Sequence, residues 1–300
     1  MKRRQWLQWA AVAGMGALSR MTAAGTGSDG QPVKGVPAIE PLKAPDGPIP
    51  VAVLLSDGAV VIDFTGPWEV FENVQVNGRS AFHLYTVAET TAPVLTSGGM
   101  TIVPRYSIAN APRPHVVVIP AQGDPTEPVL DWLRTVAKTA DLVMSVCTGA
   151  FVLARTGLLS GKEATTHHSA FVEFAMTFPD IRLRRGARFV DLGHVASAGG
   201  LSSGIDLALH VVERYFGRAV ATSTAYQLEY QGPGWMDPNS NQVYAQARVS
   251  TEEHPLCPVC EMDVDKASAP RSQYGGKTYY FCTLSHKNAF DASPARFASA

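Results

Sequence analysis

The sequence predicts an α/β fold, a mostly parallel sheet sandwiched by helices, followed by a small C-terminal metal-binding module. Three observations predict it. Short apolar runs alternate with stretches of helical spacing, and strands buried on both faces read as continuous apolar runs. One cysteine, Cys147, directly follows such a run and is itself followed by small residues. The remaining cysteines, Cys257, Cys260 and Cys282, crowd the C-terminal segment beside His286 with ligand-like spacing.

Taken in order, residues 1–24 read as a twin-arginine-type signal peptide. Arg3 and Arg4 precede an apolar stretch that ends at Leu18, and Thr22-Ala23-Ala24 offers a small-residue cleavage site. As a helix that stretch would be roughly 20 Å long, short of the ~30 Å hydrocarbon core, so a stable membrane span is not expected. The expected location is periplasmic or exported. Residues 25–49 are rich in Gly and Pro and read as a linker.

The main domain is expected over residues 50–230. Its first strand is Pro50 to Leu55, and a helix-like stretch runs from Pro67 to Val74. Strands follow at Phe82 to Val87, Val116 to Ile119 and Leu142 to Val146. Helical spacing marks residues 126–140, and a helix is expected between Cys147 and Gly157. Shorter alternating runs at Ile181 to Leu183, Phe189 to Leu192 and Val195 to Ser197 suggest a strand pair. Ser203 to Phe216 is an amphipathic helix, and another is expected from Ala219 to Glu229. Residues 231–253 turn polar and read as a second linker, with the metal module at 254–300.

The 300 residues suggest about two domains. Apolar residues make up 46%, enough for a sizeable core. The formal net charge is −1 with no basic run. Phosphate binding needs clustered Lys and Arg, so nucleic acid is not an expected partner.

Cys147 is the candidate nucleophile. A strand-to-helix bend lifts a side chain out of the sheet, and a helix N-terminus behind it favours a thiolate and offers N–H donors to an oxyanion. The bland reading is a small buried apolar residue. The stretch Ser145-Val146-Cys147-Thr148-Gly149-Ala150, with Ala164 to His167, resembles the ThiJ/PfpI superfamily. So do Asp63 to Phe71, Val117 to Pro120, and Ala198 to Asp206. The subgroup it resembles includes isonitrile hydratase and the amidotransferase-like domain of AraC-type regulators.

That resemblance implies a class-I glutamine amidotransferase-like, flavodoxin-like fold that needs no cofactor, and a homodimer. It implies Cys147 as nucleophile, Asp63 as an acid/base reaching it from the loop after the first strand, and Thr148 lining the pocket. Gly66, Gln122, Gly123 and His167 are implied as substrate-binding. The alternative for Asp63 is a capping role. Two departures stand out. Thr148 replaces the His of family proteases, and Gln122 replaces a glycine whose N–H helps form the oxyanion pocket. A left-handed backbone at Gln122 would be strained. The implied partner is a small molecule, and the implied activity is hydration of an electrophile such as an isonitrile. The rival reading is a non-catalytic ligand-binding or redox and metal stress-response protein.

In the C-terminal module, Cys257-x2-Cys260, 21 intervening residues and Cys282-x3-His286 supply two close ligand pairs. A tetrahedral soft-metal site needs such pairs. Zinc or another heavy-metal ion is expected there; the alternative is a Cys257–Cys260 disulfide. Tyr274 to Phe281 suggests a hairpin. The module resembles the YHS/TRASH type, with Met262 to Asp265 and Lys287 to Phe290 also matching. His286 replaces the usual cysteine, which favours zinc. Glu261 stands where the resemblance expects glycine, so that turn should be strained.

Overall fold

The computed structural model describes residues 41–298. The signal-peptide reading and residues 25–40 of the first linker lie outside the described residues.

The sheet is built from β1 (Ile49–Leu54), β2 (Phe82–Ala88), β3 (Tyr106–Ser107), β4 (Val116–Ile119), β5 (Leu142–Val146), β6 (Phe189–Asp191) and β7 (Val195–Ala198). Their spatial order is β6-β7-β5-β4-β1-β2-β3. Every pairing is parallel except β6 with β7, an antiparallel hairpin at one edge. Strands β1, β4 and β5 are almost fully buried, which explains why their sequences are unbroken apolar runs.

Two apolar layers cover the sheet. One face carries α1 (Val61–Glu72), α5 (Ser203–Phe216) and α6 (Arg218–Gln227). The other carries α2 (Glu127–Val136), α3 (Gly149–Arg155) and α4 (Phe171–Thr177). Helix α5 has the bounds its periodicity predicts. Helix α1 starts six residues before the expected Pro67, which sits inside it. A proline there removes one hydrogen bond, to the Asp63 carbonyl. The helix persists because Phe64, Val70 and Phe71 are buried against the sheet layer.

Both expected linkers are partly integrated into the fold. Leu42 donates its N–H to the Arg214 carbonyl at 2.9 Å and packs on the core. Within 231–253, Trp235 is 4% exposed and belongs to the main core. The Pro238 carbonyl accepts the Arg188 N–H at 2.7 Å. Polar composition suggested a tether; one buried indole makes this segment part of the domain.

The C-terminal module holds the antiparallel pair β8 (Arg271–Tyr274) and β9 (Lys277–Tyr280), then α7 (Leu284–Ala292) and α8 (Pro294–Phe297). Gly275 and Gly276 both take positive φ, +58° and +77°, as a tight hairpin turn demands. Its small core of Val259, Phe281, Phe290 and Phe297 is extended by Val172 and Met176 of α4.

Candidate functional site

Cys147 sits at the bend between β5 and α3 with φ +58°, a left-handed backbone at a non-glycine residue. Such strain persists only where the surroundings impose it. Its N–H is tied to the Gly199 carbonyl at 2.8 Å, and its carbonyl accepts the Thr166 hydroxyl at 2.9 Å. Two residues on, a Cβ on Gly149 would lie 2.2 Å from the Ile119 carbonyl oxygen. Only glycine lets α3 begin this close to the end of β4.

Asp63 lies in the first turn of α1, not in the preceding loop, and caps nothing. It is fully buried. Its Oδ2 accepts the Ala121 N–H at 3.1 Å, while Oδ1 makes no hydrogen bond in this geometry. The carboxyl is pushed up to about 6 by burial, opposed by the Ala121 N–H and the nearby Cys147 thiol. The Cys147 side chain is pushed up to about 12, first by burial and then by the Asp63 charge. The N–H and hydroxyl of Thr148 act to lower it but are outweighed. The expected thiolate is therefore corrected: Cys147 is only 6% exposed, and desolvation beats a short helix's dipole. At neutral pH the pair is a protonated thiol beside an ionised carboxylate.

Thr148 is the N-cap position of α3, half-buried beside the sulfur. Gln122 does not have positive φ, so the departure from glycine costs no backbone strain. Its side-chain oxygen accepts the Ser56 hydroxyl at 3.1 Å. Gly123 gives its N–H to the Asp57 carbonyl at 2.9 Å, which commits that donor to the loop. Gly66 lies within α1, where a Cβ would meet Ile205 at 2.9 Å; its absence lets α1 approach α5.

His167 borders a cleft of about 180 Å³. Its imidazole is pushed down to about 4 by burial and then by the neighbouring His168, so it is neutral. Thr166 also lines the cleft and so joins it to the elbow; Cys147 itself is not in its wall. The remaining walls include Ser203 at the start of α5 and three residues that no motif marked, Arg188, Asn241 and Tyr244. Arg188 donates from Nε to Asp206 at 2.6 Å, from Nη1 to Asn241 Oδ1 at 3.2 Å and from Nη2 to Ser202 at 3.0 Å. Tyr244 stacks on His168 with ring centroids 4.3 Å apart. An aromatic residue inside an otherwise polar stretch was the one available signal.

The second centre gathers Cys257, Cys260, Cys282 and His286, with all ligand atoms within 4.8 Å of one another. Cys260 and Cys282 sulfurs are 3.5 Å apart, and His286 Nδ1 is 3.2 Å from Cys282 and 3.6 Å from Cys257. A tetrahedron with metal–sulfur bonds of about 2.3 Å has edges of about 3.8 Å. The donor set therefore fits a tetrahedral metal, and all four cysteines of the chain are free thiols rather than disulfides. The Cys257 thiol is drawn down, chiefly by its Cys260 neighbour, and Cys260 is pushed up in turn by Cys257 and by burial.

Glu261 follows the knuckle with φ +59°, the strain its sequence position foretold. Its carboxylate meets Arg185 at 2.5 Å, and that guanidinium lies 4.9 Å from the centroid of the Phe171 ring.

An α/β sheet with a cysteine at a left-handed strand-to-helix bend and a buried carboxylate at hand, followed by a cluster of three thiols and an imidazole suited to a metal, defines a cysteine-elbow protein with a small Cys/His module. The chain belongs to the DJ-1/PfpI family, which it matches over residues 50–214, and residues 257–300 match the YHS domain. It is 31% identical to isonitrile hydratase of Pseudomonas putida over 185 residues, 60% of this chain and 78% of that protein. It is 25% identical to the HTH-type transcriptional regulator GbdR of Pseudomonas aeruginosa over 189 residues, and spans about half (51%) of that regulator's length. The crystal structure of a ThiJ/PfpI family protein from Pseudomonas syringae is similar at TM-score 0.56 and 25% identity, covering 72% of this chain and 90% of that one. Drosophila melanogaster DJ-1beta shares the fold at TM-score 0.54 and 20% identity, covering 62% and 100%.

Proposed function

We propose that the chain is a cysteine-dependent hydratase acting on a small electrophile of the isonitrile type. The observation that carries this reading is the strained Cys147 held beside the buried Asp63 carboxylate. The sulfur bonds to the terminal isonitrile carbon while Asp63 takes the thiol proton and passes it to that carbon. A thioimidate results. Water then adds to the same carbon, Asp63 relaying its proton to nitrogen. The tetrahedral adduct expels the sulfur, which recovers a proton, and an N-substituted formamide leaves. Summed, one isonitrile and one water give one formamide. The N–H groups of Thr148 and Gln122 are the donors assigned to developing charge. The similarity to isonitrile hydratase supports the same chemistry.

The test is turnover of a panel of isonitriles, with 2-oxoaldehydes as the competing class, by wild type and Cys147→Ala. Turnover of isonitriles by wild type alone is the expected outcome. Absence of any wild-type turnover would leave the second reading, a non-catalytic ligand-binding protein, which the 6% exposure of Cys147 favours.

We also propose that the metal is zinc, since one imidazole among three thiolates suits it, and that the protein is exported, on the strength of Arg3 and Arg4 before an apolar run. Cell fractionation checks the last point: the mature chain should be found outside the cytoplasm, and cytoplasmic recovery alone would refute it.

A further inference from the structure

Two parts of the cleft wall, Tyr244 and Phe171, are each tied to the C-terminal module, and both ties end just after its Cys257–Cys260 knuckle. The first tie is a strap, residues 241–248. It leaves the main domain at Asn241, whose N–H goes to the Gly186 carbonyl at 3.1 Å and whose Oδ1 accepts Arg188 Nη1 at 3.2 Å. It passes through the short turn Gln242–Tyr244, which stacks the Tyr244 ring on His168 with centroids 4.3 Å apart and planes 23° apart. It reaches the module at Arg248. That guanidinium donates to both carboxylate oxygens of Asp263, at 2.7 and 3.0 Å, and to the Glu261 carbonyl at 3.0 Å.

The second tie is Glu261 itself. Its carboxylate meets Arg185 at 2.5 Å, and that guanidinium packs on Phe171. At φ +59° a glycine would sit without strain, so the glutamate carries a conformational cost that its carboxylate offsets through Arg185. Residues 261–263 are in turn held by a metal-ligating residue. The Glu261 N–H goes to the Cys257 carbonyl at 2.8 Å, and the Cys257 N–H to the Met262 carbonyl at 2.9 Å. The side chains of the Arg248–Asp263 pair are 50% and 71% exposed. So exposed a pair contributes little alone and holds the strap only while Asp263 is fixed.

We infer that the module is a metal-dependent latch on the cleft. With Cys257, Cys260, Cys282 and His286 joined by a metal ion, residues 261–263 hold Arg248 and Arg185, and Tyr244 stays closed over His168. Without the ion both ties release and the strap opens. The inference rests on metal binding at that cluster and is independent of the hydratase reading.

His168 reports the latch, because Tyr244 covers one face of its ring. Its modification by diethyl pyrocarbonate is followed on the His168 peptide by mass spectrometry, in the full chain saturated with zinc and again after stripping with a chelator. Zinc-saturated Arg248→Ala should react about fivefold faster than wild type, the upper end of what one exposed ion pair holds. It should still bind one zinc and keep residues 255–298 protected from amide exchange, which separates a released strap from an unfolded module. Stripping wild type should raise the rate at least as much. Zinc-saturated Tyr244→Ala sets the open rate; it should exceed that of wild type and respond less to the chelator. A wild-type rate indifferent to zinc would overturn the latch, as would an Arg248→Ala or Tyr244→Ala rate equal to that of wild type. A chain that takes up no zinc would sink the metal reading and the latch together, and metal analysis tells that outcome from the others.

Discussion

At the residue scale, Asp63 concentrates the cost of the site. A carboxyl near pKa 3.8 in the unfolded chain is pushed up to about 6 in the fold, mainly by burial. The folded state therefore holds its proton more tightly, so this group's contribution to stability is full below about pH 4 and is lost as pH rises through about 6. A shift of about two units corresponds to roughly 3 kcal/mol. Asp63→Asn keeps an acceptor for the Ala121 N–H but removes the buried charge. It should stabilise the protein against urea at pH 8 by up to roughly 3 kcal/mol, with the advantage vanishing near pH 4, and abolish the isonitrile turnover proposed for the wild type. Equal urea midpoints at pH 8 would show that the carboxylate is not buried as an ion. Cys147 was legible as the bend residue from the run Leu142 to Val146 and the small residues after it. Its protonation was not: a dipole can be read from sequence order, but desolvation depends on what packs around the sulfur.

At the element scale, strands were legible and α4 was not. Unbroken apolar runs such as Val116 to Ile119 can hardly be other than buried strands. Helix α4 divides its apolar residues between partners. Phe171 faces the cleft, Phe174 the sheet layer, and Val172 and Met176 the small core of the metal module. No single stripe results, so periodicity gives no signal. The same division makes α4 the element shared by both centres, reinforced by Arg296 donating to the Met176 carbonyl at 3.0 Å. The Arg185–Glu261 pair is a second tie. Metal analysis of the purified protein should return one zinc per chain. Stripping it with a chelator should speed amide hydrogen exchange across 255–298, where a small module depends on its metal, and also across 171–177. Strands β1, β4 and β5 should stay protected. Faster exchange confined to 255–298 would mean that α4 does not depend on the module.

At the scale of the whole molecule, family boundaries and physical boundaries do not coincide. The DJ-1/PfpI match ends at residue 214, inside α5, whose bounds are Ser203–Phe216. The chain beyond it contributes Trp235 to the main core, clasps Asp206 through the Tyr230 hydroxyl at 3.0 Å, and brings Tyr244 to the cleft. Composition could not reveal this, since one indole and a few amides among polar residues look like a tether until their contacts are known.

Trp235 has a practical corollary for anyone recombining such proteins. A cassette cut at the homology limit and grafted onto another YHS module would leave behind the anchor that closes its own hydrophobic interior. A viable chimera must carry the stretch from Gly217 through Tyr244 with its parent sheet, and place the junction only after that.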